Sequence, residues 1–463
     1  MPTNQTQEKS ALFVATITSF MGPFIISSVN VALPAIQKEF AVDAVQLSWV
    51  TTSLLLAVAV MLVPAGKIAD IHGRKKVFTW GLVLYTVASL FAAFAGSVEI
   101  LIFFRVVQGV GAAMFVTTGM AILTSIFPPH KRGKAIGIYV AAVYIGLSVG
   151  PFAGGILTQH IGWRSIFLIV VPFGIVSVYI TLKHLKGEWA DARGEKLDIL
   201  GSILYGVSIL ALVYGASILP DKKAVYLIIT GIICLGAFIW QELRVRFPVF
   251  EIKLFTENKL FTFSSLAALI NYSATFAITF LISLYLQYIK GLSPQFAGTI
   301  LIAQPILMAI FSPLAGRWSD RIEPRKIASA GMAITASGLS FFVFIGSETE
   351  IIYIVCNLAM LGFGFAMFSS PNMNAIMGSV EKRFFGIASG TVATMRLLGQ
   401  MISMAIVMVV FTTFIGREEI SPTNYYLFLK SVKVSFIVFV LLCAIGVFFS
   451  FFRGELRAHT KIS

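Results

Sequence analysis

Charge is what this sequence has least of. Asp, Glu, Lys and Arg make up 12% of its 463 residues and 57% of the chain is apolar, whereas soluble domains carry roughly 25% charged residues. That balance excludes a soluble multidomain protein. Cysteine is scarce too. Cys234, Cys356 and Cys443 each stand alone in an apolar run, which offers neither a disulfide framework nor a metal site. The five histidines (His72, His130, His160, His184, His459) fall in loops or the tail, so no buried metal centre is expected. The chain has no Gly-x-x-x-x-Gly-Lys-Ser/Thr phosphate loop, which removes ATP as a driver. It also lacks clustered carboxylates or histidines with acid–base spacing. Neither an enzyme nor a cofactor is therefore expected.

What the chain does have is long apolar runs. A spanning helix needs about 20 mostly apolar residues, and fourteen runs qualify: 11–33, 46–66, 77–96, 100–125, 135–157, 165–182, 199–219, 224–243, 260–288, 297–318, 327–346, 350–370, 386–414 and 431–452. The expected fold is an all-α integral membrane protein. The run from Ala11 is followed by no small-residue cleavage site, so it reads as a retained helix and not a signal peptide. An even count puts both termini on one side. Of the 35 Lys and Arg, 25 fall on that side, 8 on the other and 2 inside helices. Such segregation places the richer side in the cytoplasm. The net charge of +14 therefore sets orientation and meets anionic lipid; it is not a nucleic-acid patch.

The chain also repeats itself. Gly66, Asp70, Lys75 and Lys76 in the turn after helix 2 match Gly316, Asp320, Arg325 and Lys326 after helix 10 at one constant offset, 316 less 66, or 250 residues. One folding unit has been used twice. In each copy glycine lets helices approach, the aspartate accepts hydrogen bonds at a helix end, and the cations sit among lipid head groups. Gly73 and Arg74 complete the first turn. The expected divisions are 1–182, a six-helix bundle; 183–247, a linker with two additional helices that brace the bundles or face lipid; and 248–463, a second six-helix bundle with a short tail. Pro248–Lys259 mixes Phe250, Leu254 and Phe255 with Glu251 and Lys253, the pattern of an interfacial amphipathic helix.

Helix 5 carries Gly137, Gly146, Gly150-Pro151 and Gly154-Gly155. Spacings of four put Gly146, Gly150 and Gly154 on one face, where a neighbouring helix can pack closely, and Pro151 can bend the helix. Helix 4 carries Arg105-Val-Val-Gln108-Gly109-Val-Gly111, and helix 6 follows Gly162-Trp163-Arg164 with Ile166-Phe167-Leu168 and Pro172-Phe-Gly174. Together with the Gly66–Lys76 turn, these motifs resemble the major facilitator superfamily over nearly the whole chain. They are most similar to its 14-helix drug:proton antiporter branch. The resemblance implies two six-helix bundles with two extra central helices. It also implies a secondary active exporter of small amphipathic compounds that exchanges them for protons and acts as a monomer in the cytoplasmic membrane. It assigns gating to Gly66, Asp70, Gly73, Arg74, Gly316, Asp320, Gly146, Gly150, Pro151 and Gly154, and proton coupling to Arg105 with Glu99 or Asp70 at the mouths. An aspartate that many members of this branch hold nine residues before the proline of an Asn30-Val-Ala-Leu-Pro34 segment is replaced here by Ile25.

Arg105 and Arg396 are the ionisable residues expected inside the membrane, where such groups are costly and usually functional. Arg396 lies about ten residues into its helix, roughly 15 Å deep. Each arginine reads either as a pin bonded to carbonyls and to Gln108 or Gln400, or as a cavity charge. Further cavity candidates are Ile25, Asn30, Gln108, Tyr144, Asn271, Tyr272, Gln304, Asn357 and Gln400, with several of the asparagines equally able to bridge helices. Asn372 and Asn374 are candidates too, or, following Pro371, the cap of a broken turn. A rival function on the same fold is a transporter for a specific anionic metabolite, with the two arginines as counter-charges.

Overall fold

A hydrocarbon environment leaves no water for exposed peptide groups, so each apolar run must satisfy its backbone internally and becomes a helix. The computed structural model describes residues 5–245, 248–250, 252–380 and 385–454; His459 and Glu251 lie outside them. Among these residues fourteen helices are long and apolar enough to cross a membrane. They are helix 1 (Thr6–Phe40), helix 2 (Ala44–His72), helix 3 (Arg74–Ala93), helix 4 (Val98–Ile126), helix 5 (Lys134–His160), helix 6 (Arg164–His184) and helix 7 (Ile199–Ser217). Then come helix 8 (Lys222–Glu242), helix 9 (Lys259–Ile289), helix 10 (Pro294–Arg321), helix 11 (Pro324–Val343), helix 12 (Ile351–Gly378), helix 13 (Ala388–Phe414) and helix 14 (Tyr425–Phe452).

Start signals sit where local chemistry puts them. Asp43 and Gln46 form a reciprocal capping box on helix 2, and Asn258 accepts from the Phe261 amide at the head of helix 9; both satisfy orphan donors of the first turn. Several helices outrun the apolar stretch that announced them. Helix 14 begins at Tyr425, six residues before 431, so Lys430 lies within it and not in the preceding loop. Helix 12 continues through Pro371 to Gly378, so Asn372 and Asn374 cap no broken turn. His72, His160 and His184 are the last residues of their helices. The expected interfacial helix is one short turn, Lys253–Glu257. Its Leu254 and Phe255 pack onto Phe261, Ile376 and Val392, because these side chains gain more from a protein core than from lying flat on a membrane surface.

Contacts divide the chain into two compact units. Unit 1 is Met1–Leu212, Leu227–Val249 and Ser293–Gly298; unit 2 is Val213–Tyr226, Phe250–Leu292 and Thr299–Ser463. Inside unit 1, helix 1 packs on helix 5, helix 2 on helix 4, and helix 3 on helices 4 and 6. Inside unit 2, helix 9 packs on helix 13, helix 10 on helix 12, and helix 11 on helices 12 and 14. The internal repeat is therefore a repeat of packing as well as of sequence. Its crossings are built on glycine. A Cβ on Gly109 would meet the Leu54 carbonyl oxygen at 2.5 Å, and one on Gly362 would meet that of Gln304, 250 positions after Leu54. Gly81 and Gly111 abut across helices 3 and 4 as Gly331 and Gly364 do across helices 11 and 12. Helix 7 braces helix 2 through Tyr205, whose hydroxyl donates to the Ala59 carbonyl at 3.1 Å. Helix 8 is largely uncovered by protein: Ile229, Ile232, Ile233 and Trp240 along it are all exposed.

Candidate gating loop and membrane-embedded polar groups

The turn between helices 2 and 3 is one residue wide. Gly73 takes φ +115°, a conformation that favours glycine, and a Cβ there would occupy the place of the Glu188 side chain. Around it Asp70 Oδ1 accepts from Arg74 Nε at 2.9 Å and Nη2 at 2.8 Å. Arg74 Nη1 also donates to Ser125 on helix 4 at 3.2 Å. The linker after helix 6 then lies across this turn as an acidic strap. Glu188 Oε1 accepts from the Lys75 amide at 2.8 Å, capping the start of helix 3. Asp191 pairs with Arg74 at 2.7 Å and Glu195 with Lys67 at 2.6 Å. Two backbone bonds complete it, Arg74 N to Trp189 O at 2.8 Å and Ala192 N to Asp70 O at 3.0 Å. Sequence reading passed over Glu188, Asp191 and Glu195; the usable signal was three acids spaced along a linker beside a basic turn. Swapping the charges of Lys67 and Glu195 tests whether the strap matters. Lys67→Glu or Glu195→Lys alone is expected to slow transport about fivefold, the effect of about 1 kcal/mol that a part-exposed ion pair supplies. The double swap, assayed in the same proteoliposomes, should recover most of the rate.

The second copy of the turn is built differently. Asp320 receives a long contact from Asn374 at 3.5 Å, and Asn374 also donates to Ser319. Nearby, Arg453 closes helix 14 almost wholly buried; it donates to Asn372 Oδ1 at 2.6 Å and Ser264 Oγ at 3.3 Å. Burial pushes its guanidinium down to about 10, so it stays charged at neutral pH. Nothing in the sequence singles Arg453 out. Gly66 departs from expectation, since a Cβ there would come no closer than 3.9 Å to Thr117, so close helix approach does not require it. Gly316 is tighter, 2.8 Å from Ser370 Oγ.

The helix 5 stripe packs on helix 1 of its own unit. A Cβ on Gly146 would meet the Phe20 oxygen at 2.6 Å, one on Gly150 the Ser27 side chain and the Phe24 oxygen, and one on Gly154 the Ser28 Cα at 2.7 Å. Helix 5 stays helical through Pro151. Within the helix 5 motif, Pro151 and Gly155 meet the 293–298 segment: a Cβ on Gly298 would strike the Pro151 carbonyl, and one on Gly155 the Pro294 oxygen at 2.5 Å.

Arg105 is fully enclosed. Its Nε donates to the Val50 carbonyl at 2.9 Å and its Nη1 to Gln108 Oε1 at 2.8 Å, while Gln108 Nε2 donates to Ser89 at 2.7 Å. Nη2 has no hydrogen-bond partner; the Phe167 ring centroid lies 5.9 Å from the guanidinium carbon. Glu99 is exposed in the first turn of helix 4 and is not part of this cluster. Arg396 is half-buried on helix 13; among the described residues it makes no hydrogen bond or ion pair, to Gln400 or to a carbonyl, so it is not a pin. Asn30 accepts from Thr51 at 3.1 Å, Asn357 donates to the Gly338 carbonyl at 2.9 Å, and Asn372 donates to that of Ser264 at 3.0 Å. These three bridge helices. Ile25 and Gln304 are buried and Tyr144 is half-buried, while Tyr272 stacks edge-on against Phe365, centroids 5.4 Å apart. Asn271 is buried with neither side-chain atom bonded.

The Major Facilitator Superfamily model matches residues 12–268 and again 264–462. The chain belongs to that superfamily. It is 30% identical to the riboflavin transporter RibZ of Clostridioides difficile, over 89% of each chain. It is 31% identical to the multidrug resistance protein Stp of Mycobacterium tuberculosis, over 82% of this chain and 71% of that one. The tetracenomycin C resistance and export protein of Streptomyces glaucescens is 27% identical, over 84% and 73%. In fold, the chain superposes on a bacterial homologue of the human lysosomal transporter Spinster with a TM-score of 0.73, covering 99% of this chain and 98% of that one at 17% identity. The protein is a multi-pass membrane transporter of the superfamily and not an enzyme.

Proposed function

We propose that this transporter exports neutral or weakly anionic amphipathic compounds from the cytoplasm in exchange for protons. The two six-helix bundles would alternate access to a site near the membrane midplane, and both termini would lie in the cytoplasm, as the basic-residue asymmetry supports. The observation that carries the charge selectivity is the placement of acid. Among the described residues, every carboxylate in a spanning helix (Glu8, Glu39, Asp70, Glu99, Glu242, Asp320) lies within one turn of a helix end. Arg105 and Arg396 stand deeper with no acid beside them. Low dielectric strengthens the resulting positive potential, so a dication would shed its hydration and meet no counter-charge. A neutral amphipath loses far less on entry. Coupling then rests on Arg105 with the Asp70 turn, or on a proton carried by the substrate. Lys75 and Lys76 offer contacts to anionic lipid heads.

A second reading narrows the substrate. The similarity to RibZ runs along 89% of both chains, and riboflavin is an uncharged, hydroxyl-rich heteroaromatic that suits a site without carboxylates. Proteoliposomes with an imposed pH gradient test both readings, using riboflavin and matched neutral, anionic and dicationic dyes. Neutral and anionic probes are expected to move at least about tenfold faster than the dication, a difference of about 1.4 kcal/mol, and to stop when a protonophore collapses the gradient. Dication efflux at the rate of its neutral analogue would overturn the charge argument, and transport indifferent to the protonophore would overturn the antiport.

A further inference from the structure

Asn271 is the thirteenth residue of helix 9, is 0% exposed, and leaves both Oδ1 and Nδ2 without a hydrogen bond. Buried amides normally find partners because an unmade bond costs the full desolvation of the group. Asn30, Gln108, Asn357 and Asn372 all do so here. The internal repeat gives the position a reference. Gly146 of helix 5 faces the Phe20 oxygen, Pro23 Cβ and Phe24 nitrogen, and Gly399 of helix 13 faces the Leu269 oxygen, Tyr272 Cβ and Ser273 nitrogen. The two crossings correspond residue for residue at an offset of 249 in helices 1 and 9, so Asn271 stands where the first unit has Gly22. A Cβ on Gly22 would find nothing within 4 Å. The matching place in the first unit thus borders open space and bears no side chain; the second unit puts an unbonded amide there.

Helix 9 changes its hydrogen bonding next to it. Phe276 keeps helical angles, φ −66° and ψ −43°, and its amide donates to the Tyr272 carbonyl at 3.2 Å, but the Ala277 amide donates to Ser403 Oγ of helix 13 at 3.1 Å. A further irregular turn follows at Tyr285–Ile289. Interrupted spanning helices are tolerated where the chain is buried in protein or lines a cavity. The aromatic pair Tyr272–Phe365 sits beside the amide in sequence.

We propose that Asn271 is a specificity-determining residue that reads an adjacent C=O and N–H pair, a lactam or imide edge, on planar uncharged substrates. A carboxamide offers one acceptor and one donor in a single plane, which is the complement of such an edge. The assignment rests on the neutral-substrate reading above and deepens it.

The test is a residue-by-ligand cycle in proteoliposomes. Riboflavin is paired with 3-methylriboflavin, and 1-methylquinazoline-2,4-dione with its 1,3-dimethyl derivative; N-phenyl-1-naphthylamine, which has no such edge, is the control. The native protein should prefer each N–H compound about tenfold over its methylated partner. Asn271→Leu should erase that preference, leave the control within twofold, and melt no lower than the native protein, since it removes an unbonded amide. Asn271→Ser, which keeps polarity without the planar fork, should behave like the leucine variant and substitutes for it if leucine is not inserted. Equal losses for all probes would mean a structural role and overturn the proposal, as would a native protein that transports no imide or ignores methylation in both pairs. Discrimination in the quinazolinedione pair without riboflavin transport sustains Asn271 and overturns the riboflavin reading.

Discussion

Asp70→Asn is expected to slow transport by about tenfold or more while leaving the protein inserted and folded. Asp70 and Arg74 are part-exposed, 40% and 14% by side chain, so water screens the pair and its loss costs about 1 kcal/mol of stability at most. Function responds more strongly because the same carboxylate organises a turn. Arg74 holds Asp70, Ser125 and Asp191 together, tying helices 2, 3 and 4 to the strap. Asparagine keeps the shape but lacks the charge, so Arg74 shifts toward Asp191 and the turn loses its anchor on helix 2. If that anchor biases one access state, a coupling of about 1–3 kcal/mol changes populations about 5–150-fold. Asp320→Asn should be milder, because Pro324 stands where the first copy has Arg74, the cation around which that turn is organised. Initial rates for the two variants, normalised to inserted protein, decide the matter; equal and small losses would remove the gating role.

Gly150→Val is expected to be the other severe change, acting on stability more than on gating. The new side chain would enter the space of Ser27 and the Phe24 carbonyl, and overpacking a filled interior costs about 1–3 kcal/mol. The Ser27 hydroxyl can rotate away, but a backbone oxygen cannot, so helices 1 and 5 must separate. Gly137→Val is the control: nothing lies within 4 Å of a Cβ there, and its melting temperature should be close to native. The cost falls inside unit 1, so single-cysteine labelling of the two membrane faces should keep its native ratio in whatever Gly150→Val protein folds. A clear shift in that ratio without lost stability would restore the helix 5 stripe to a gating role.

The repeat carried more information than its loops disclosed. The 250-residue offset was legible because Gly, Asp and the basic residues recur in order, but the glycine crossings at Gly109 and Gly362, or Gly111 and Gly364, were not separated from ordinary small residues. A glycine announces permission for close approach, and only the partner's position shows whether that permission is used. Gly66 and Gly150 make the contrast: identical residues in recognised motifs, one with room for a side chain and the other with none.

By itself, then, the sequence determined the fourteen spans, the doubled bundle and the scarcity of embedded charge. These follow from hydropathy, helix length and backbone satisfaction, all of which act locally along the chain. It could not determine which polar groups were already bonded. Asn30, Asn357 and Asn271 look alike in the sequence, yet two find partners on neighbouring helices and one does not. Nor could it bring Glu188, Asp191 and Glu195 to a turn more than a hundred residues earlier. Hydrogen bonds and ion pairs are made at about 3 Å, so their partners are fixed only when distant segments pack, and that was decided by the tertiary structure alone.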